Sequence, residues 1–176
     1  VVTGEKSEQL DILVEGEKIV QVGKNLPSKD AQEIDVSGKL LFPGFIDGLT
    51  HFDLEVAGTV TADDFETGTK AAILGGTTFV IDYASQDKGG HTLKEGLGKW
   101  HKKADDKCSC DYSFHMSIVE WNEKTEQEIQ DMIDHGITSF KLYMTYPAMI
   151  VNDCDMYKFL KKLGKCGCFA GVHCEN

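Results

Sequence analysis

The spacing of apolar and polar positions changes near residue 50 and divides the chain into two styles. Before that point the spacing is that of extended chain. Two β-rich runs, Asp-Ile-Leu-Val and Ile-Val-Gln-Val, are parted by Glu15-Gly16-Glu17-Lys18, which predicts an antiparallel hairpin over residues 10–22. A turn-rich connection over 23–30 leads to a further short strand at 33–36. Ser37-Gly38 then introduces an apolar run of strand type that opens at Leu40, is interrupted by Pro43-Gly44 and ends in polar residues around His51 and Asp53. The first forty or so residues read as a small β unit of their own, over 1–42.

From residue 43 onward, strand-like runs alternate with helical ones. Thr61 reads as the cap of a helix with acids in its first turn, running to about Leu74 and stopped by Gly75-Gly76. A buried strand follows at 77–83, then a helix over 92–103 with Leu93, Leu97 and Trp100 on one side. The alternation continues with a strand at 111–119, a helix at 125–135 ended by Gly136, a strand at 139–146, a helix at 153–163 and a strand at 169–173. Repeated strand-helix units with buried strands mean an α/β fold with a parallel sheet and right-handed crossovers. Two architectures fit: an open doubly wound sheet, or part of a (β/α) barrel. Five such strands are too few to close a barrel of eight, so on the second reading the chain is the first part of a longer one.

A length of 176 residues suits one domain with a real core. The net charge of −11 excludes a phosphate-backbone partner as the working reading. No apolar run approaches the roughly 20 residues of a membrane span, and the first residues lack the layout of a signal peptide, so the expected location is cytoplasmic. Cysteines at 108, 110, 154, 166, 168 and 174 make no Cys-x-x-Cys spacing and read as reduced thiols, which suits a reducing compartment.

Three groups are expected at the carboxyl ends of the strands, where α/β sheets place their chemistry: His51, Lys141 and His173. Alternate strand residues share a face, so a His at 49 beside His51 would give a metal two nitrogen ligands, but position 49 is leucine. Lys141 lies inside Ser-Phe-Lys-Leu-Tyr-Met-Thr-Tyr, a run apolar enough to be buried, where an unpaired ammonium is costly. One reading is a snorkelling or salt-bridged lysine. The sharper one is an amine held neutral that reacts with carbon dioxide to give a carbamate able to bridge two metal ions.

Pro43-Gly44-Phe45-Ile46-Asp47-Gly48-Leu49-Thr50-His51-Phe52, Gly58-Thr59 with Asp63-Asp64-Phe65, Gly75-Gly76-Thr77-Thr78, the run from Ser139 to Tyr146, and Val172-His173-Cys174-Glu175-Asn176 resemble the dihydropyrimidinase/hydantoinase branch of the cyclic amidohydrolases. The resemblance covers the whole chain but only the first part of a typical member. It implies the first five strands of a TIM-type (β/α)8 barrel over 43–176, preceded by an N-terminal portion of a β-sandwich over 1–42. It also implies a centre of two divalent metal ions, usually zinc. By matching position, His51 is the second histidine of a metal-binding pair, Lys141 the carbamylated bridging ligand and His173 a ligand of the second metal. Tyr146 matches the tyrosine that polarises the scissile carbonyl. The implied reaction is opening of a cyclic ureide, a dihydropyrimidine or hydantoin, by a hydroxide held between the metals. Family members are commonly homotetramers. Leu54, Val56 and the segment 147–151 match mobile loops that shape the pocket.

Leu49 departs from this pattern, because it offers no lone pair where the family has the first histidine. That substitution supports an alternative: a non-catalytic relative that keeps the fold and works through assembly, or an inactive fragment. Of the remaining histidines, His91, His101 and His135 read as structural and His115 as a candidate supporting residue. Asp82, Glu175 and Asn176 are placed to buttress the site by hydrogen bonds.

Overall fold

The Glu15-Gly16-Glu17-Lys18 turn forms as its composition predicts. In the computed structural model, which describes every residue except Ser28 and Asn176, β1 (Asp11–Glu15) pairs antiparallel with β2 (Lys18–Gly23). Gly16 takes the left-handed conformation at φ +60, which a side chain would resist. The chain divides into two compact units, Val1–Phe45 and Ile46–Asn176.

Two expected strands of the first unit are absent. Residues 33–36 have extended composition but no neighbouring strand, and Ile34 is left 76% exposed. The run from Leu40 to Phe42 is irregular as well, with only the Leu41 carbonyl engaged, by the Val2 amide at 2.8 Å. Pro43 has no amide proton for a ladder, so the strand begins beyond Pro43-Gly44, as β3 (Phe45–Thr50).

The second unit is built on β3, β6 (Thr77–Ser85), β7 (Asp111–Ser117), β8 (Ser139–Tyr143) and β9 (Phe169–His173), which lie in that order in one sheet. A doubly wound sheet reverses its strand order at a switch point; this one never does, and its helices follow one another along one face. It is a parallel half-barrel. Between β3 and α1 lies a small hairpin that the sequence reading treated as loop, β4 (Glu55–Val56) against β5 (Thr59–Val60), turned through Ala57 and Gly58, both at positive φ.

The helices are α1 (Phe65–Leu74), α2 (Leu93–Ala104), α3 (Glu123–Asp134) and α4 (Asp153–Lys165). α1 starts three residues later than expected because Asp64, not Thr61, caps it: the Asp64 carboxylate accepts from the Thr67 amide and Thr67 bonds back. The Thr61 hydroxyl instead accepts from the Leu54 amide at 3.0 Å. β7 and β8 stop earlier than their apolar runs suggested, because the chain leaves the ladder once it passes the sheet's rim.

Strand alternation sorts the side chains cleanly. Val80 and Ala84 of β6, Phe114 and Met116 of β7, and Phe140 and Leu142 of β8 are buried against Leu93, Leu97 and Trp100 of α2, Ile129 and Met132 of α3, and Phe159 and Leu163 of α4. Each of these larger apolar side chains, Ala84 excepted, contributes roughly 1.5–3 kcal/mol through burial. Gly96 lets α2 sit directly on β6, since a methyl group there would fall 2.5 Å from the Ser85 carbonyl oxygen. The residues between these core positions line the other, concave face.

Candidate active site

β3 delivers His51 to the rim, and one buried carboxylate holds it there. Asp82, on the helix side of β6 and only 1% exposed, accepts from the Thr50 hydroxyl at 2.9 Å and the Phe52 amide at 2.8 Å, the residues on either side of His51. Its second oxygen accepts from the Tyr83 amide at 2.7 Å and the Trp100 indole at 3.1 Å. Phe52 then packs so closely over α1 that a Cβ on Gly68 would fall 2.2 Å from its ring. Asp82 was expected to buttress the site, and this is the arrangement by which it does so.

The concave face is a set of rows. The His51 ring lies 5.0 Å from the Tyr83 ring, and Tyr83 lies 4.8 Å from His115, its register partner on β7. His115 Nε2 donates to the Gly48 carbonyl at 3.0 Å, which leaves Nδ1 as the acceptor, and the Ser139 hydroxyl donates to it. With both nitrogens engaged, His115 braces β3 and β8 across the face and offers no lone pair to replace the one missing at Leu49. Burial pushes the Tyr83 phenol above its usual range, with the Tyr143 and Asp82 charges adding to the rise.

The next rows bring the other candidates together. Lys141 pairs in register with Ser117 on one side and Gly171 on the other, and Tyr143 pairs with His173. The Lys141 ammonium lies 5.4 Å from the centre of the Tyr143 ring, and the Tyr143 and His173 rings stack at 6.1 Å. Tyr146 reaches the same imidazole, with ring centres 5.1 Å apart and its hydroxyl 3.5 Å from His173 Nε2. That nitrogen donates to Glu175 at 2.8 Å, so in the neutral ring Nδ1 carries the lone pair. Tyr146 itself is held at φ +67, a costly conformation for a tyrosine, by a tight turn in which its carbonyl accepts from the Met149 and Ile150 amides. Asn176, also expected to support the site, lies outside the described residues.

Lys141 departs from expectation in its burial. Its neighbours Phe140 and Leu142 are buried on the helix side, while Lys141 is only partly covered on the concave side, because an apolar run on one face says nothing of the other. The candidates therefore form two groups on one face: Lys141, Tyr146 and His173 around Tyr143, and His51 stacked on Tyr83, separated from Lys141 by β6 and β7. Among the described residues, no three His, Cys, Asp or Glu side chains converge on one metal position.

Two open cavities flank these groups. One, of about 330 Å³, lies against Lys88, Glu120, Ile150, Val151 and Asp155, which places part of the expected 147–151 loop on a cavity wall. Glu120 is fixed there by the Gly89 and Gly90 amides, which hold its carboxyl below the usual range. The other, of about 380 Å³, runs beside Asp47, Leu49, His51, Phe52 and Asp63. The remaining histidines make local contacts: His91 with Glu95, His101 with Asp105, and His135 with the Asp131 carbonyl.

No protein-family model matches the chain. Among curated proteins it is 41% identical over 179 residues to a dihydropyrimidinase of Dictyostelium discoideum and 40% identical over 178 residues to a D-hydantoinase of Geobacillus stearothermophilus. Each match takes in the whole chain, but 35% and 38% of the relative. Among solved structures, the dihydropyrimidinase of Brevibacillus agri superposes on 99% of the chain with a TM-score of 0.95 at 40% identity, again over 38% of that protein.

Over its whole length the chain is homologous to dihydropyrimidinases and D-hydantoinases.

It spans between about a third and two fifths of the length of its relatives, from 35% to 39%. Leu49 is 63% exposed on the concave face, so its side chain fills no core space that would explain it. Its presence has no packing rationale in this structure. No helix among the described residues is long and apolar enough to cross a membrane.

Proposed function

We propose that this chain is the first part of a metal-dependent hydrolase that opens the ring of a cyclic ureide, a dihydropyrimidine or a hydantoin. The observation that carries the reading is Lys141. Its amine projects over a concave face between the small residues Ser117 and Gly171, with His173 and Tyr146 one row above. Gly171 packs against the lysine stem without a side chain of its own: a Cβ there would lie in van der Waals contact with the lysine Cδ at 3.7 Å. In its neutral form the lysine nitrogen attacks the carbon of carbon dioxide. A C–N bond forms, one C=O electron pair moves to oxygen, and the nitrogen releases a proton to solvent, leaving a carbamate with two oxygens for two cations.

The residues present fit such a centre in part. His51 and His173 supply one imidazole each, and the carbamate one oxygen for each ion, which is two donors of the four a zinc ion takes. Bound divalent metals, zinc by preference, supply a hydroxide at neutral pH and polarise the ring carbonyl. Tyr146 donates its hydroxyl to the oxygen where negative charge develops. We place the protein in the cytoplasm, where its six free thiols stay reduced, and as a homo-oligomer, a tetramer by family resemblance.

The second reading, a non-catalytic relative that works through assembly, is favoured by Leu49. The test that separates the two is ring opening of hydantoin and dihydrouracil, assayed by chromatography of the ureido acid, for the parent and for Leu49→His with zinc and bicarbonate. Turnover that rises in the histidine variant supports the hydrolase. No product from either chain counts against the hydrolase reading of this chain and leaves the non-catalytic relative or the inactive fragment.

A further inference from the structure

Ser117 carries a concave-face hydroxyl that the arrangement above leaves unused. It is fully buried, and its Oγ has no hydrogen-bond partner among the described residues. The Ser117 hydroxyl comes close enough to that of Tyr143 to offset part of the phenol's burial-driven rise in pKa, yet no hydrogen bond of normal geometry joins them. Ser117 sits opposite Lys141 in the parallel ladder, as Ser85 sits opposite Ser117, so the row across the sheet reads Ser85, Ser117, Lys141, Gly171. An ammonium has donors only, so an unmodified lysine gives the serine proton nothing to bond. Gly171 has no side chain. The row contains a buried donor that no acceptor in it, the Ser85 hydroxyl included, engages.

We infer that Ser117 is a positioning residue: its hydroxyl donates to an oxygen of the carbamate carried by Lys141, orienting that group and favouring its formation. The inference rests on the reading of Lys141 given under the proposed function and adds a residue to it. A carboxylate-like group on Lys141 brings about four lone-pair sites beside the unpaired Ser117 hydroxyl. The hydroxyl is then matched only after modification, so the bond acts on the carbamylation equilibrium itself.

The test is carbon-13 NMR of the full chain equilibrated with labelled bicarbonate and zinc, following the carbamate resonance as bicarbonate is raised. Lys141→Arg assigns the signal by removing it. Ser117→Ala is expected to need about ten-fold more bicarbonate for half occupancy, the factor that follows from losing one hydrogen bond to a charged group. Ser117→Thr, which keeps the hydroxyl, is expected within about two-fold of the parent, on the same basis. A merely structural serine would not move this midpoint. If Ser117→Ala titrates like the parent, or alters only the ionisation of Tyr143, the inference is overturned and the Lys141 reading stands. If the parent shows no carbamate resonance at any bicarbonate concentration, that reading falls and this inference with it.

Discussion

On the helix side of the sheet, Asp82 accepts four hydrogen bonds, and Gln86, 2% exposed, makes four through its side chain: to the His91 carbonyl, the Thr125 hydroxyl, and the Val119 and Glu120 amides. On the concave side of the neighbouring strand, Ser117 is as deeply buried and makes none among the described residues, and the Lys141 ammonium lies over the face of Tyr143. The same strands thus carry fully matched Asp82 and Gln86 on the helix face, whereas the concave face sets the matched His115 beside the unmatched Ser117. Buried polar atoms cost free energy unless they are paired, so a face that leaves them unpaired is organised for something other than folding.

This contrast breaks hardest at Asp82. Asp82→Ala removes the acceptor from four donors, and because each orphaned buried donor costs roughly 1–3 kcal/mol, a loss of about 4 kcal/mol or more in urea unfolding is expected. Gly96→Ala should cost roughly 1–3 kcal/mol by overpacking, since the new methyl meets backbone at 2.5 Å and a backbone cannot turn aside. His115→Phe keeps the ring stacking on Tyr83 but loses the bonds to Gly48 and Ser139, for an expected loss of about 1–2 kcal/mol in the same assay. Ser117→Ala should leave the unfolding midpoint within about 0.5 kcal/mol of the parent, because no bond is lost. A large loss there would end the division between the two faces.

A smaller effect follows from Cys108, whose thiol burial pushes up to about 11 from 9.0. The folded state holds this proton more tightly than the unfolded one, so the contribution is fully present below pH 9 and fades as pH rises towards 11. Thiol labelling at pH 8 should accordingly reach the exposed Cys154 and Cys174 well before Cys108.

Much of this was legible in the chain because local chemistry decides it. Glu15-Gly16-Glu17-Lys18 is a turn in any context, and Thr92 with Glu95 forms a capping box visible in the letters alone. Ser139-Phe-Lys-Leu-Tyr was readable as a strand, yet the burial of its lysine was not, since covering on the concave face depends on which strands stand beside it. Residues 33–36 and the run from Leu40 to Phe42 failed as strands for the same reason: extended propensity needs a partner edge, and spacing along one segment does not reveal one. Thr61 and Asp64 were both competent caps, and the choice between them was made by Leu54, whose amide takes the threonine. Leu49 could be seen as a departure from the family pattern. That His115 does not compensate for it, having both nitrogens engaged, required the fold.

We propose that Lys141 serves chemistry rather than folding. The decisive measurement is zinc retained per chain after dialysis with bicarbonate, for the parent and for Lys141→Met at matched unfolding midpoints. Zinc is expected on the parent, and only background zinc on a variant of equal stability. Equal zinc on both chains, or a Lys141→Met chain that loses its zinc only by unfolding, would overturn the role given to the lysine.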